Sequence, residues 1–177
     1  MEQRKLELKE ICGYLPYELK MFCEGEEIET IECWKSKKYS EWDENEEDEI
    51  ITGTNLYESL KDAKIILRPI TDLHKTIIHN GKEIVPIVEL AKIAVPSIHW
   101  RFWNNIAISE CQYTHSIKAK FDWCDSENYF IYTGKEGAVK NIDKLFDYLH
   151  EFKIDYRGLT DAGLAVSVYD LDSNHYK

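Results

Sequence analysis

The densest group of side chains able to do chemistry is Ile98-His99-Trp100-Arg101-Phe102-Trp103-Asn104-Asn105. Trp and Arg are over-represented at binding hot spots. Aromatic planes beside a guanidinium can also stack a base or hold a nucleotide. His99, Trp100, Arg101 and Trp103 are therefore candidate ligand or partner residues. The competing reading is that both tryptophans anchor the core after the break at Pro96, since aromatic side chains bury so much apolar area. A second candidate is IYTGKEGAVKN, a strand, a Gly-x-x-Gly loop and a helix start, where Lys135 and Lys140 would favour an anion. Neither GxxxxGK[ST] nor GxGxxG is present, so a plain strand-to-helix connection competes with it.

The acidic run Asp43 to Glu49 is a third candidate, with Asp43, Glu44, Glu46 and Glu47 as docking residues for a basic partner. Asp43, Asn45 and Glu47 alternate as an EF-hand loop would. Position six, however, is Asp48 rather than Gly, and position twelve is Thr54 rather than Glu. The histidines are scattered. Cys111, His115 and Cys124 on and beside one strand cannot supply four tetrahedral ligands, so no metal and no cofactor is expected. The five cysteines follow no CxxC pattern and read as free thiols. GxSxG, HExxH and kinase signatures are missing, which lowers the expectation of an enzyme without removing it, because a site can be assembled from distant positions.

The chain has 177 residues, 44% of them apolar and 31% charged, enough for one domain with a sizeable core. The net charge of −11 is unevenly placed. Residues 1–63 hold 18 acids and 8 bases, whereas residues 64–177 hold 15 acids and 14 bases. A single domain over 1–177 with an acidic first third is expected. Such a balance disfavours non-specific nucleic-acid binding, which needs clustered Lys and Arg. No run approaches the roughly 18–20 apolar residues of a membrane span. The start MEQRKLELKE has no apolar signal core, so a cytoplasmic protein is expected.

The elements that must position these residues follow from periodicity. A short helix is expected over 4–12, closed at Gly13, and a hairpin from strands near 19–23 and 28–34. KIILRPI over 64–70 reads as a strand ended by Pro69. Asn80-Gly81 marks a turn. Pro86 opens a helix carrying Ile87, Leu90, Ala91 and Ala94 on one face, and Pro96 ends it. From Cys111 to Trp123 the apolar period becomes two, a half-buried strand whose partner runs from Tyr129 to Thr133. Asn141 opens a helix with Ile142, Leu145, Phe146, Leu149 and Phe152 on a stripe. A helical turn closed at Gly163 leads into a last strand over 164–169. The fold class is α+β, antiparallel hairpins packed with about three helices in a single compact domain.

ICGYLPYELK, ILRPITDLHK with GKEIVPIVELAKIA, and KLFDYLHEFKIDYRGLTDAGLA together resemble a family of small proteins encoded by phages and prophages of Bacteroides-type bacteria. The family has no assigned activity, so the resemblance implies a setting, a phage accessory protein in a bacterial cytoplasm, and no site residue. These motifs read as structural: strand ends, caps and helix faces. The regions around 24–62 and 97–135 are individual to this chain, and a functional surface is expected there.

Three functions are consistent with these observations. The first is a non-enzymatic accessory protein that binds a host protein, as in counter-defence, through the acidic third and residues 99–103. The second is a small-molecule binder that sequesters a nucleotide signal with Trp100, Arg101, Trp103 and Lys135. A homo-oligomeric interface is expected in that case, since one chain offers few basic groups. The third is an enzyme with a dispersed acid–base site; a structural virion component is a further alternative.

Overall fold

The structure, a computed structural model, describes residues 6–23, 29–30, 63–110, 116–135 and 139–171. The chain enters through a one-turn helix α1 (Leu8–Ile11), shorter than the 4–12 expected, and a 3-10 turn (Leu15–Tyr17) with Pro16 at its start. Strand β1 (Lys20–Cys23) pairs antiparallel with β2 (Glu29–Thr30), which is the expected hairpin. Strand β3 (Ala63–Pro69) is the axis of this sheet. Ile65, Ile66 and Leu67 are all fully buried, so both faces of the strand are covered, as an uninterrupted apolar run requires.

Two short C-terminal strands, β10 (Ile154–Asp155) and β11 (Ala165–Ser167), both run parallel to β3. Ile65 faces Met21 of β1 and Ala165 of β11, so β1 and β11 flank opposite edges of β3. The sheet is therefore mixed rather than a set of hairpins alone.

A 3-10 turn (Ile70–His74) leads to the hairpin β4 (Ile77–His79) and β5 (Lys82–Ile84), closed by Asn80 and Gly81 with φ of 50° and 72°. Left-handed backbone at both central residues is what a tight hairpin of this kind needs, and Asn-Gly supplies it at least cost. Helix α2 (Pro86–Ala94) follows, with Ile87, Leu90, Ala91 and Ala94 fully buried at the expected spacing.

The second sheet is an antiparallel meander: β6 (Arg101–Trp103), β7 (Ile106–Glu110), β8 (Ile117–Cys124) and β9 (Tyr129–Gly134). The β6–β7 turn uses Asn104 and Asn105, both at positive φ. The strand expected from Cys111 begins, among the described residues, at Ile117. Ala119, Phe121 and Trp123 face the core while Lys118 and Lys120 face out, as period two requires, but Ile117, on the same alternation, is exposed. Helix α3 (Ile142–Glu151) buries Leu145 and Leu149. Ile142, expected on the same stripe, is exposed. The start of α3 is tied to the end of α2: Lys140 donates its backbone N–H to Ala94 at 3.1 Å, and the Asn141 amide donates to the Ile93 carbonyl at 3.3 Å.

The buried side chains form two clusters. One joins α2 and α3 to the meander through Leu90, Trp100, Phe121, Trp123 and Leu149, among others. The other packs the N-terminal segment on β1, β3 and β11 through Tyr14, Leu19, Ile65, Leu67 and Leu164. Tyr156 packs against both. At the seam, Tyr14 donates to the Ile154 carbonyl at 2.8 Å, and the Tyr14 and His150 rings meet edge-on at 4.7 Å. Gly13 leaves room for the His150 ring, which a Cβ at that position would overlap.

Candidate functional site

A cleft of about 400 Å³ opens at this seam. It is lined by Pro16, Tyr17, Glu18 and Lys20, by Arg68, by the hairpin residues Ile78–Asn80, and by Glu151–Lys153. Backbone pairing explains why these segments meet. The parallel register sets Ile154 opposite Arg68, and the Arg68 N–H donates to the Lys153 carbonyl at 2.8 Å. The buried cations Arg68 and Lys153 thus come from backbones joined by a hydrogen bond. Lys20, the first residue of β1, enters from the same sheet.

The backbone is strained at this cleft. Seven non-glycine residues among those described have positive φ, and five of them are asparagine. The other two, Glu18 (φ 56°) and Lys153 (φ 59°), both line the cleft. A left-handed conformation costs an ordinary L-residue about 1–2 kcal/mol, and asparagine tolerates it better. Glu18 turns the chain from the 3-10 turn into β1. Lys153 ends α3 at a position that glycine usually occupies. Such positions cluster at functional sites, where the side chain is needed more than the backbone is relaxed.

Asp72 holds Arg68 from behind. This fully buried carboxylate lies 3.8 Å from the guanidinium, accepts the Tyr169 hydroxyl at 2.7 Å and accepts the Lys75 ammonium at 3.1 Å. His79 is fixed by Glu151, with Nε2 and Oε1 2.8 Å apart, and by an edge-on contact with the Phe152 ring at 4.9 Å. The Lys153 ammonium donates to the Glu151 backbone carbonyl at 3.0 Å. Burial pushes the Lys153 pKa down to about 8; Glu151 and Glu18 pull it up, while Arg68 and Lys20 add to the lowering.

This arrangement presents three cationic side chains to a partly enclosed polar space. Guanidinium and ammonium groups form charge-assisted hydrogen bonds with carboxylate or phosphate oxygens. Glu18 and Glu151 offset part of the charge, and Glu151 is already committed to His79. Among the described residues no group of three or more His, Cys, Asp or Glu side chains is placed to hold a metal ion.

Among the described residues, none of those singled out from sequence lines the cleft. Trp100 is buried, donates its indole N–H to the Val95 carbonyl at 3.1 Å and packs edge-on with Phe121 and Tyr132. Arg101 is exposed on β6 and ion-pairs with Glu110, Trp103 is exposed at 44%, and His99 is exposed. Strand alternation puts Arg101 and Trp103 on the face opposite Phe102, so the 99–103 group does not line one pocket with Trp100. Lys135 is exposed just past the end of β9. Asp43, Glu44, Glu46 and Glu47, with the rest of the acidic loop, lie outside the described residues, as do Cys111 and His115. Cys12 and Cys124 are free thiols.

Sequence reading passed over Arg68 and Lys153, yet each carries a signal. Arg68 interrupts the apolar run KIILRPI, and Lys153 stands between the buried Phe152 and Ile154. A charge inside a buried run needs a reason. Comparison with known protein families, with curated proteins and with solved structures finds no match to this chain.

Proposed function

We propose that this protein binds a small ligand carrying an oxyanion, a carboxylate or a phosphate, in the cleft between the 3-10 turn at Leu15–Tyr17, the β4–β5 hairpin and the end of α3. The observation that carries the reading is the meeting of Lys20, Arg68 and Lys153 in one cleft whose only two strained backbones outside asparagine, among the described residues, are also there. The volume of about 400 Å³ lies within the range of small-molecule sites. Tyr17, Pro16 and Ile78 give the cleft an apolar wall against which the rest of a ligand would pack.

This reading keeps the ligand-sequestering alternative drawn from sequence, including a nucleotide signal as one phosphate-bearing ligand, and moves it to different residues. Binding a host protein as a phage accessory remains a proposal resting on the resemblance and the charge asymmetry. Most of its acidic third, including the 43–49 loop, lies outside the described residues, and its aromatic element divides into a buried Trp100 and an exposed Trp103.

The test is a thermal-shift panel of small carboxylates, phosphate monoesters and nucleotides, each beside a neutral analogue. A ligand that binds only the folded state raises apparent stability by mass action. At least one oxyanion is expected to raise Tm in a saturable way while its neutral analogue does not. Flat responses to every oxyanion at millimolar concentration would remove the proposal.

A further inference from the structure

We propose that Lys153 captures a carbonyl-bearing ligand covalently, forming an imine with an oxo acid or an aldehyde phosphate whose oxyanion is held by Arg68 and Lys20. This rests on the oxyanion-binding reading of the cleft and adds a reaction to it.

Four features support the inference. Lys153 is buried yet lines the cleft, and its backbone is pinned between the end of α3 and β3. A strained φ of 59° aims this side chain where a glycine would have closed the helix more cheaply. Arg68 and Lys20 line the same cleft, and the Arg68 backbone N–H is bonded to the Lys153 carbonyl, so an oxyanion-holding pair shares the space with the nucleophile. Burial has also moved the amine into the range where a neutral form is populated at physiological pH. With a pKa of about 8, roughly one Lys153 in ten is unprotonated at pH 7, against about one in 2,500 for an ordinary lysine. Lysine amines are activated in this way for imine chemistry when they are desolvated or lie next to other cations.

The reaction balances without an outside oxidant. The Lys153 nitrogen lone pair adds to the carbonyl carbon, and the carbonyl π electrons move to oxygen, which takes up a proton as nitrogen loses one. The carbinolamine oxygen is protonated again and leaves as water while the nitrogen lone pair forms the C=N bond. His79 lines the same cleft; its Nε2 is held by Glu151 and Asn80, which leaves Nδ1 as the nitrogen to carry these transfers.

The intact chain is incubated at pH 7 with pyruvate, glyoxylate or glycolaldehyde phosphate and sodium cyanoborohydride, whose hydride converts the imine to a stable secondary amine. Peptide mapping then reads which lysines are labelled. The Lys153 peptide is expected to be labelled at least tenfold faster than the peptide carrying the exposed Lys118 and Lys120, with saturation in the carbonyl compound. Lactate or glycolate, which keep the carboxylate and lack the carbonyl, should suppress that label. Lys153→Arg should abolish it, and the wild-type map alone decides the matter if that variant does not fold. Labelling of Lys153 at the surface rate overturns the imine. If lactate still raises Tm in that case, oxyanion binding stands and the covalent step falls; if no oxyanion shifts Tm either, both fall.

Discussion

Lys153 concentrates the energetic tension of this molecule in one side chain. Its folded pKa of about 8 lies below the unfolded value near 10.5, so between those two pH values the unfolded chain binds more protons than the folded one. Stability must therefore rise with pH across that window, by up to about 3 kcal/mol from this group alone. Denaturant unfolding of wild type and Lys153→Met between pH 8 and 10 should show the slope in the first and its loss in the second. Equal slopes would mean the amine is not desolvated. Tyr14 acts in the opposite sense. Burial raises its hydroxyl far above the usual tyrosine range, so above pH 10 the unfolded chain sheds a proton that the folded one keeps, and stability falls. The two tryptophans of the 99–103 segment separate at the same scale. Trp100→Ala should cost about 3–5 kcal/mol because it empties part of the core, and Trp103→Ala under about 1 kcal/mol. Similar losses at both positions would contradict the placement of Trp100 inside and Trp103 outside.

Elements decide which residues meet, and most of them are legible in the chain. Pro86 with Ile87, Leu90, Ala91 and Ala94 announces α2, and it is there. Asn80-Gly81 announces the β4–β5 turn, and alternation from Ala119 to Trp123 gives the inner face of β8. The parallel pairings are not legible. Strands β10 and β11 have two and three residues, too short for a periodic signal, and their partner β3 lies more than eighty residues earlier. That missing contact hid the site, because it is what carries Lys153 to Arg68. The joint beside it can be stressed directly. A Cβ on Gly13 meets the His150 ring, which hydrogen-bonds Tyr156 at 2.8 Å and has little room to withdraw. Gly13→Ala is expected to cost about 1–3 kcal/mol by overpacking, measured by chemical denaturation. His150 has its pKa lowered by burial, so the joint should weaken as pH falls below about 6.5, where the unfolded histidine takes up a proton that the folded one resists. A Gly13→Ala variant of wild-type stability would show that α1 and α3 are not packed as described.

At the scale of the whole molecule, an acidic chain keeps buried cations at the seam between its two apolar clusters. No helix among the described residues is long and apolar enough to cross a membrane. Composition reads the net charge of −11 and misses the local reversal, since Lys20, Arg68 and Lys153 are far apart in sequence and meet only through the β3 pairings. The segments 11–20, 66–75 and 144–165, read from sequence as scaffold, supply eight of the eleven cleft residues, and the hairpin residues Ile78–Asn80 supply the other three. The most direct test of the site is a calorimetric titration of wild type and Lys153→Gly with the best non-carbonyl oxyanion from the thermal-shift panel, beside the unfolding curve of each. Glycine relieves the left-handed backbone at 153 and removes a desolvated amine, so at pH 7 the variant should be no less stable than wild type. Affinity should nonetheless fall at least tenfold. Equal affinities in the two folded proteins would contradict the site.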